Sequence, residues 1–230
     1  MLAWSSDDEL FSLMKKHLFS AVIGDVLDKK ECFRQFLSPK IRPLDNAMIL
    51  AGRAMPVLEA DVFIEHSPSG NNSVLEADFG LMMHALDDLK KNEVYICTGA
   101  SPSYALWGEI MSTRASKLGA AGTVLNGYTR DTNGILDINY PTFSFGSYAQ
   151  DQGNRGKVID FRTNIQINGV AVRPGDIVFG DIDGVVIIPQ EIEEEIIHDA
   201  FEKSMGERNV LSAIQNGMSA VDAFDKFGIM

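Results

Sequence analysis

Between residues 78 and 126 the chain alternates two kinds of apolar spacing, and this order limits the possible folds more than any other feature. Asp78–Leu89 places Leu81, Met82, Ala85, Leu86 and Leu89 at helical spacing. VYIC at Val94–Cys97 is an uninterrupted apolar run of strand length. Trp107–Leu118 again has helical spacing and is closed by Gly119, while GTVLN at Gly122–Asn126 reads as a second buried strand. Two strands joined through a helix are expected to pair in parallel, because a crossover connection is what parallel neighbours require. The class expected is α/β.

The flanks fit one domain spanning residues 1–230, with N-terminal helices over about 5–30 and C-terminal helices over about 190–225. Ser5 or Ser6, followed by Asp7 and Asp8, caps a helix carrying Leu10, Phe11, Leu13, Met14 and Leu18. A second run, Ser20–Leu27, carries Val22, Ile23, Val26 and Leu27. Pro39 and Pro43 mark a loop, and Met48–Val57 reads as a strand in which Gly52 allows close backbone approach. Beyond residue 140 the pattern shortens to strands at 141–145, 157–161, 164–167, 170–172, 176–180 and 184–188. Asn168-Gly169 is a hairpin signal, since both turn positions need positive φ. A helix follows over about Gln190–Gly206, acidic at its start as the helix dipole favours, then a shorter one from Glu207 to about Gln215. No repeat, low-complexity tract or linker interrupts the chain.

Composition narrows function. Apolar residues make up 45% and charged residues 23% of 230, enough for a sizeable core without a structural metal. Only Cys32 and Cys97 are present, without finger spacing, which argues against a zinc ribbon and for a reducing, cytoplasmic setting. The formal charge of −12 repels a polyanion, so no nucleic acid is expected as partner. Asp7, Asp8 and Glu9 interrupt any leader pattern, and no apolar stretch is long enough to span a bilayer.

Two junctions draw the chemistry. Strand 94–97 leads into a helix whose first amides, around Glu109, Ile110 and Met111, suit a carboxylate or phosphate; read alone, Glu109 merely offsets the helix dipole. Arg130-Asp131 follows strand 122–126, and in α/β sheets ligands collect beyond the carboxyl ends of strands. Arg130 could hold an oxyanion and Asp131 a hard divalent cation. A bare Arg-Asp dipeptide, however, reads as a surface salt bridge.

The combination changes that reading. ALWGEI at Ala105–Ile110, then twenty residues between Glu109 and Arg130, then Arg-Asp, resembles the acidic-x20-R-D signature of the RraA-like family. ILAGRAM at Ile49–Met55, Asp25-Val26-Leu27, YPTFSFG at Tyr140–Gly146 and INGVAVRPGDIVFGDIDGVVIIP at Ile167–Pro189 resemble further family segments, so the similarity runs from about residue 18 onward. The family includes class II pyruvate aldolases acting on 4-hydroxy-4-methyl-2-oxoglutarate.

The resemblance implies an α/β/β swivelling sandwich with flanking helices, assembled as a homotrimer or hexamer. It implies a lyase that cleaves small 2-oxo acids and decarboxylates oxaloacetate through a pyruvate enolate stabilised by Mg²⁺ or Mn²⁺. Asp131 would be the direct metal ligand, with Glu109 acting through metal waters. Glu207 of a neighbouring subunit would complete the outer shell. Arg130 would contact the keto oxygen, the amides of Ile110 and Met111 the pyruvate carboxylate, and Gly108 would line the same site. Chemically this is coherent, because a cation and an arginine stabilise an enolate as it forms, and Mg²⁺ keeps water while taking few protein carboxylates.

The chain also departs from the family pattern. Gly134 stands where several aldolases have an acidic residue, Asn139-Tyr140 replaces the usual glycine and its neighbour, and the loop Gly99–Pro102 has one glycine of a usual pair. These changes fall where substrate is read. His17, His66, His84 and His198 share no ligand spacing, Cys97 reads as an inert buried thiol, and Arg155 either lines the site or stays on the surface. The alternative function is a non-catalytic regulator, since the family's namesake inhibits ribonuclease E by protein contact. A methyltransferase is disfavoured because no G-x-G-x-x-G loop occurs where nucleotide binding would need it.

Overall fold

A computed structural model describes residues 3–62 and 73–229. In chain order the elements are α1 (Asp7–His17), α2 (Ser20–Lys29), β1 (Arg42–Pro43), β2 (Leu50–Asp61), α3 (Ser73–Glu76), α4 (Met82–Asp87), β3 (Glu93–Thr98), β4 (Ala105–Trp107), α5 (Glu109–Leu118), β5 (Gly122–Leu125), β6 (Tyr128–Thr129) and α6 (Thr132–Asp137). They continue with β7 (Thr142–Ser144), β8 (Gly156–Phe161), β9 (Ile165–Ile167), β10 (Val170–Val172), β11 (Ile177–Asp181), β12 (Gly184–Ile188), a 3₁₀ turn (Gln190–Ile192), α7 (Glu193–Gln215) and α8 (Ala220–Phe227). His66 lies outside the described residues.

Among the described residues the main sheet has the order β1-β7-β5-β3-β2-β11-β12, with β8 paired to the second half of β2. Pairing is parallel from β2 through β3 and β5 to β7, and antiparallel elsewhere. The sheet nearly closes into a barrel. Leu37 N–H donates to Val185 O and Ile187 N–H to Gln35 O, both at 2.9 Å, while a few residues later Arg42 pairs with Ser144 of β7. One short segment therefore joins the two ends of the sheet.

Strand alternation sorts the side chains into three apolar clusters. Val94, Ile96, Val124, Val178, Val185 and Ile187 point inside the curled sheet. Tyr95, Cys97 and Leu125 point outward, under α4 and α5. Ile177, Phe179, Val186 and Ile188 face the opposite outer layer of α1, α2 and α7. This is the period-2 consequence of pleating acting on strands that are covered on both faces.

Local signals behave as their chemistry dictates. Ser6 caps α1, and Glu9 returns a carboxylate to the Ser5 amide at 2.7 Å. Asn168 and Gly169 both have positive φ in the β9–β10 turn, and Gly119 closes α5 in the left-handed conformation. Several boundaries differ from expectation. The strand expected over Met48–Val57 is β2, which starts at Leu50 and runs on to Asp61. The helix expected over Asp78–Leu89 begins only at Met82, because Phe79 and Gly80 both have φ of 61°. Trp107 ends β4 rather than starting α5. The two C-terminal helices expected to divide after Gly206 are one helix, α7, and the second helix is α8. Gly206 lies within that helix, and its bare face receives Ile229, whose Cδ1 lies 2.5 Å from where a Cβ would stand.

Candidate active site

The loops leaving β3 and β5 fold against each other through a small ladder. β4 and β6 pair in parallel, Ala105 with Tyr128 and Trp107 with Thr129. Trp107 O accepts the Arg130 amide at 2.9 Å and the Thr129 hydroxyl at 3.0 Å. A single carbonyl thus draws the start of α5 against the Arg-Asp dipeptide, although twenty residues separate them in sequence. The crevice opens beyond the carboxyl ends of parallel strands.

Gly108 caps α5 in extended backbone and offers no side-chain acceptor, so the first amides of α5, those of Glu109 and Ile110 among them, meet no capping side chain. Asp131 caps α6 from the left-handed region, with φ 55° and ψ 37° and no side-chain capping bond. Strain of this kind is retained where surrounding structure enforces it, often at functional sites. The Asp131 carboxylate is instead turned toward Arg130, whose Nε lies 3.5 Å from Oδ2. Arg130 Nη1 lies 2.7 Å from Asp151 Oδ1.

Two glycines make room for carboxylates. A Cβ on Gly108 would stand 2.7 Å from Asp131 Oδ2, and a Cβ on Gly134 would collide with the Glu109 carboxylate. Glu109 therefore sits on the rim, folded over the first turn of α6, rather than in the wall of the cleft. Asn139 has φ 49°, so the residue standing in for the family's glycine keeps a glycine-like backbone; asparagine is among the side chains that best tolerate that region.

The cleft has a volume of about 190 Å³. Its lining combines polar Arg130, Asp131, Asp151 and Gln152 with apolar Phe79, Met82, Leu106, Trp107, Ile110 and Met111. Beneath it the Tyr140 ring stacks on Trp107 at 6.3 Å and 13°, with its hydroxyl buried and unpartnered. Of the residues singled out from sequence, Gly108, Ile110, Met111, Arg130 and Asp131 converge on this cleft, and Glu109 stands at its edge. Glu207 lies on α7, where its carboxylate is 3.4 Å from Lys203, the partner of Asp25. None of these groups lines the cleft. Arg155 donates to the Asp151 carbonyl at 3.1 Å and so braces the loop that carries Asp151. Asp151 has no signal in the sequence, because nothing near it in the chain announces an arginine partner twenty-one residues upstream.

Among the described residues no group of three His, Cys, Asp or Glu side chains converges to bind a metal by itself. That donor set does not suit zinc, which takes three or four protein ligands. It fits a hard cation that keeps most of its waters, with Asp131 offered across the space that Gly108 leaves open.

A perturbed carboxyl lies deeper in the molecule. Glu59 on β2 is 2% exposed, its Oε1 has no hydrogen-bond partner, and Cys97 Sγ lies 3.7 Å from Oε2. Burial pushes its pKa up to about 8.

The fold is thus a near-barrel α/β sheet with a crevice at its strand ends that holds Arg130, Asp131 and Asp151. The model of the RraA-like family (Aldolase/RraA) matches residues 20–187, and the chain belongs to that family. It is 27% identical over 209 residues to Protein DlpA of Legionella pneumophila, covering 90% of this chain and 32% of that protein, so it spans about a third of DlpA. It is 27% identical over 182 residues to a Halalkalibacterium halodurans protein named "Putative 4-hydroxy-4-methyl-2-oxoglutarate aldolase", covering 79% of this chain and 85% of the other. Among solved structures, a chain described under novel cellulases from gut-associated microbes superposes with TM-score 0.80 at 24% identity, over 91% of this chain and 90% of that one. Streptomyces coelicolor RraAS2, described as an unusual member of the RNase ES inhibitor RraA family, superposes with TM-score 0.72 at 21% identity, over 90% and 98%. At these identities the structural likeness establishes the fold, which is the sandwich expected from sequence. No helix among the described residues is long and apolar enough to cross a membrane.

Proposed function

We propose that this chain is a divalent-metal-dependent pyruvate aldolase that also decarboxylates oxaloacetate, both reactions passing through the enolate of pyruvate. The observation that carries this reading is the Trp107 carbonyl junction, which sets Arg130 and Asp131 beside the uncapped amides of α5. Mg²⁺ or Mn²⁺, when bound, supplies Lewis acidity toward the 2-oxo acid.

The protein's own groups do the rest. The amides of Ile110 and Met111, with the positive end of α5 behind them, receive the substrate carboxylate. Arg130, held by Asp131 on one side and Asp151 on the other, points its remaining donors at the oxygen that gains charge as the carbon–carbon bond breaks. Asp131 would hold the cation directly, Glu109 would reach it through water, and Glu207 of a neighbouring copy would complete the outer shell in a trimer or hexamer. The setting is cytoplasmic, with neither nucleic acid nor membrane as partner.

The test is oxaloacetate decarboxylation by the purified chain with Mg²⁺, alongside Asp131→Ala and Arg130→Ala. Both variants should keep the wild-type circular dichroism and lose turnover. Wild-type-like rates from either one would remove the site. The likeness to RraAS2 favours a second reading, a protein-binding regulator of ribonuclease; a fully inactive wild-type chain that inhibits ribonuclease E would select it.

A further inference from the structure

We propose that the substrate's departing half is apolar, so that the preferred substrates are 4-hydroxy-2-oxo monocarboxylic acids with an alkyl or aryl tail rather than diacids. This deepens the aldolase reading and rests on it. In such a cleavage the C3–C4 electrons pass to the pyruvate enolate while the C4 hydroxyl loses its proton and becomes the carbonyl of the departing aldehyde or ketone. The enolate then takes a proton at C3. Chemistry at Arg130 and Asp131 therefore fixes one half of the substrate, and the rest of the cleft reads whatever is attached to C4.

The rest of the lining is mostly carbon. Phe79, Met82, Leu106, Ile110 and Met111 share the cleft with the polar groups, and Ile110 is 83% exposed. Phe79 is held there at φ 61°, a costly position for a bulky side chain. Its carbonyl accepts Val158 N–H at 3.3 Å, and Leu81 N–H donates to Val158 O at 2.8 Å, so β8 clips the strained turn in place.

Charge points the same way. Among the described residues Arg130 is the one cation lining the cleft, and it already faces two carboxylates, Asp131 and Asp151. Arg155 is outside the lining, and it donates to the Asp151 carbonyl. A second carboxylate on the tail would find no second cation from the same chain in the lining and would sit near Asp151, whereas a hydrocarbon tail leaves no polar group unpaired.

The experiment compares two 2-oxo acids of equal length, 2-oxohexanoate and 2-oxoadipate, by calorimetry on the full chain with Mg²⁺. The expected result is at least about ten-fold tighter binding of 2-oxohexanoate. Ile110→Arg and Met82→Lys, which add a cation to the carbon lining, should narrow that ratio. Equal or tighter binding of the diacid overturns the inference, as does a ratio unchanged in both variants or no binding of either acid. Exchange of pyruvate methyl protons in D₂O separates the two levels of failure. Exchange together with diacid preference removes only the tail assignment, while absence of exchange removes the aldolase reading and the inference with it.

Discussion

Arg130 Nη1 lies 2.7 Å from Asp151 Oδ1, which gives the arginine of the sequence signature a second carboxylate besides its neighbour Asp131. Both side chains of this pair are more than a third exposed, so the pair adds only about 0–1 kcal/mol to stability. Its effect on the direction of the guanidinium is larger. Asp151→Asn should lower kcat/KM for oxaloacetate about ten-fold, equivalent to ~1.4 kcal/mol of transition-state stabilisation. Its melting temperature should stay within a few degrees of wild type. An unchanged kcat/KM would show that Arg130 needs no such support.

Gly134 lets the Glu109 carboxylate lie over α6. An alanine there suits a helix better by up to about 1 kcal/mol, but its methyl group must push Glu109 aside. Gly134→Ala is therefore expected to melt at the same or a higher temperature while oxaloacetate turnover falls several-fold. A variant that is more stable and fully active would place Glu109 outside the chemistry.

Gly108→Ala puts a methyl group 2.7 Å from Asp131 Oδ2. Backbone φ of −153° accepts alanine without strain, so the fold should hold. Titration with Mn²⁺ followed by electron paramagnetic resonance should show affinity weakened by about ten-fold, consistent with the loss seen when groups that orient a ligand are disturbed. Unaltered affinity would mean that the cation does not approach from this side.

Glu59 makes stability depend on pH. Its carboxyl titrates near 4.5 when the chain is unfolded and, because it is buried, at about 8 when folded. Between those values the folded state holds a proton that the unfolded state has released, so stability falls as pH rises from about 4.5 to 8 and then levels off. Glu59→Gln should flatten this slope and raise stability at pH 8 by on the order of a few kcal/mol. Melting temperatures from pH 5 to 9 check it; parallel curves for variant and wild type would show that Glu59 ionises as an ordinary carboxylate.

Arg53 ties three elements together. On β2 it pairs with Asp7 of α1 at 2.8 Å and with Glu193 of α7, and it lies over the Phe11 ring at 5.7 Å. These carboxylates raise its pKa further despite partial burial. Removing it leaves both carboxylates without their partner, so Arg53→Ala should cost roughly 2–4 kcal/mol in urea unfolding. Turnover per folded molecule should not change. A loss below about 1 kcal/mol would reduce Arg53 to a surface contact.

Much of this protein was already written in short stretches of chain. The cap at Ser6, the hairpin turn at Asn168-Gly169, the stop at Gly119 and the runs VYIC and GTVL each depend on neighbours within a few residues, so their physics is readable locally. The two chemical junctions were legible for the same reason, since each follows a strand that composition and period already mark. Folding in three dimensions decided what depends on distant partners. It closed the sheet through Gln35–Pro43, ran α7 straight past Gly206, and started α4 four residues late because Phe79 is bent to meet β8. It also brought Asp151 to Arg130 and shut Glu59 away from water. No residue beside Asp151 or Glu59 carries that information, because burial and pairing are properties of what the rest of the chain packs around them.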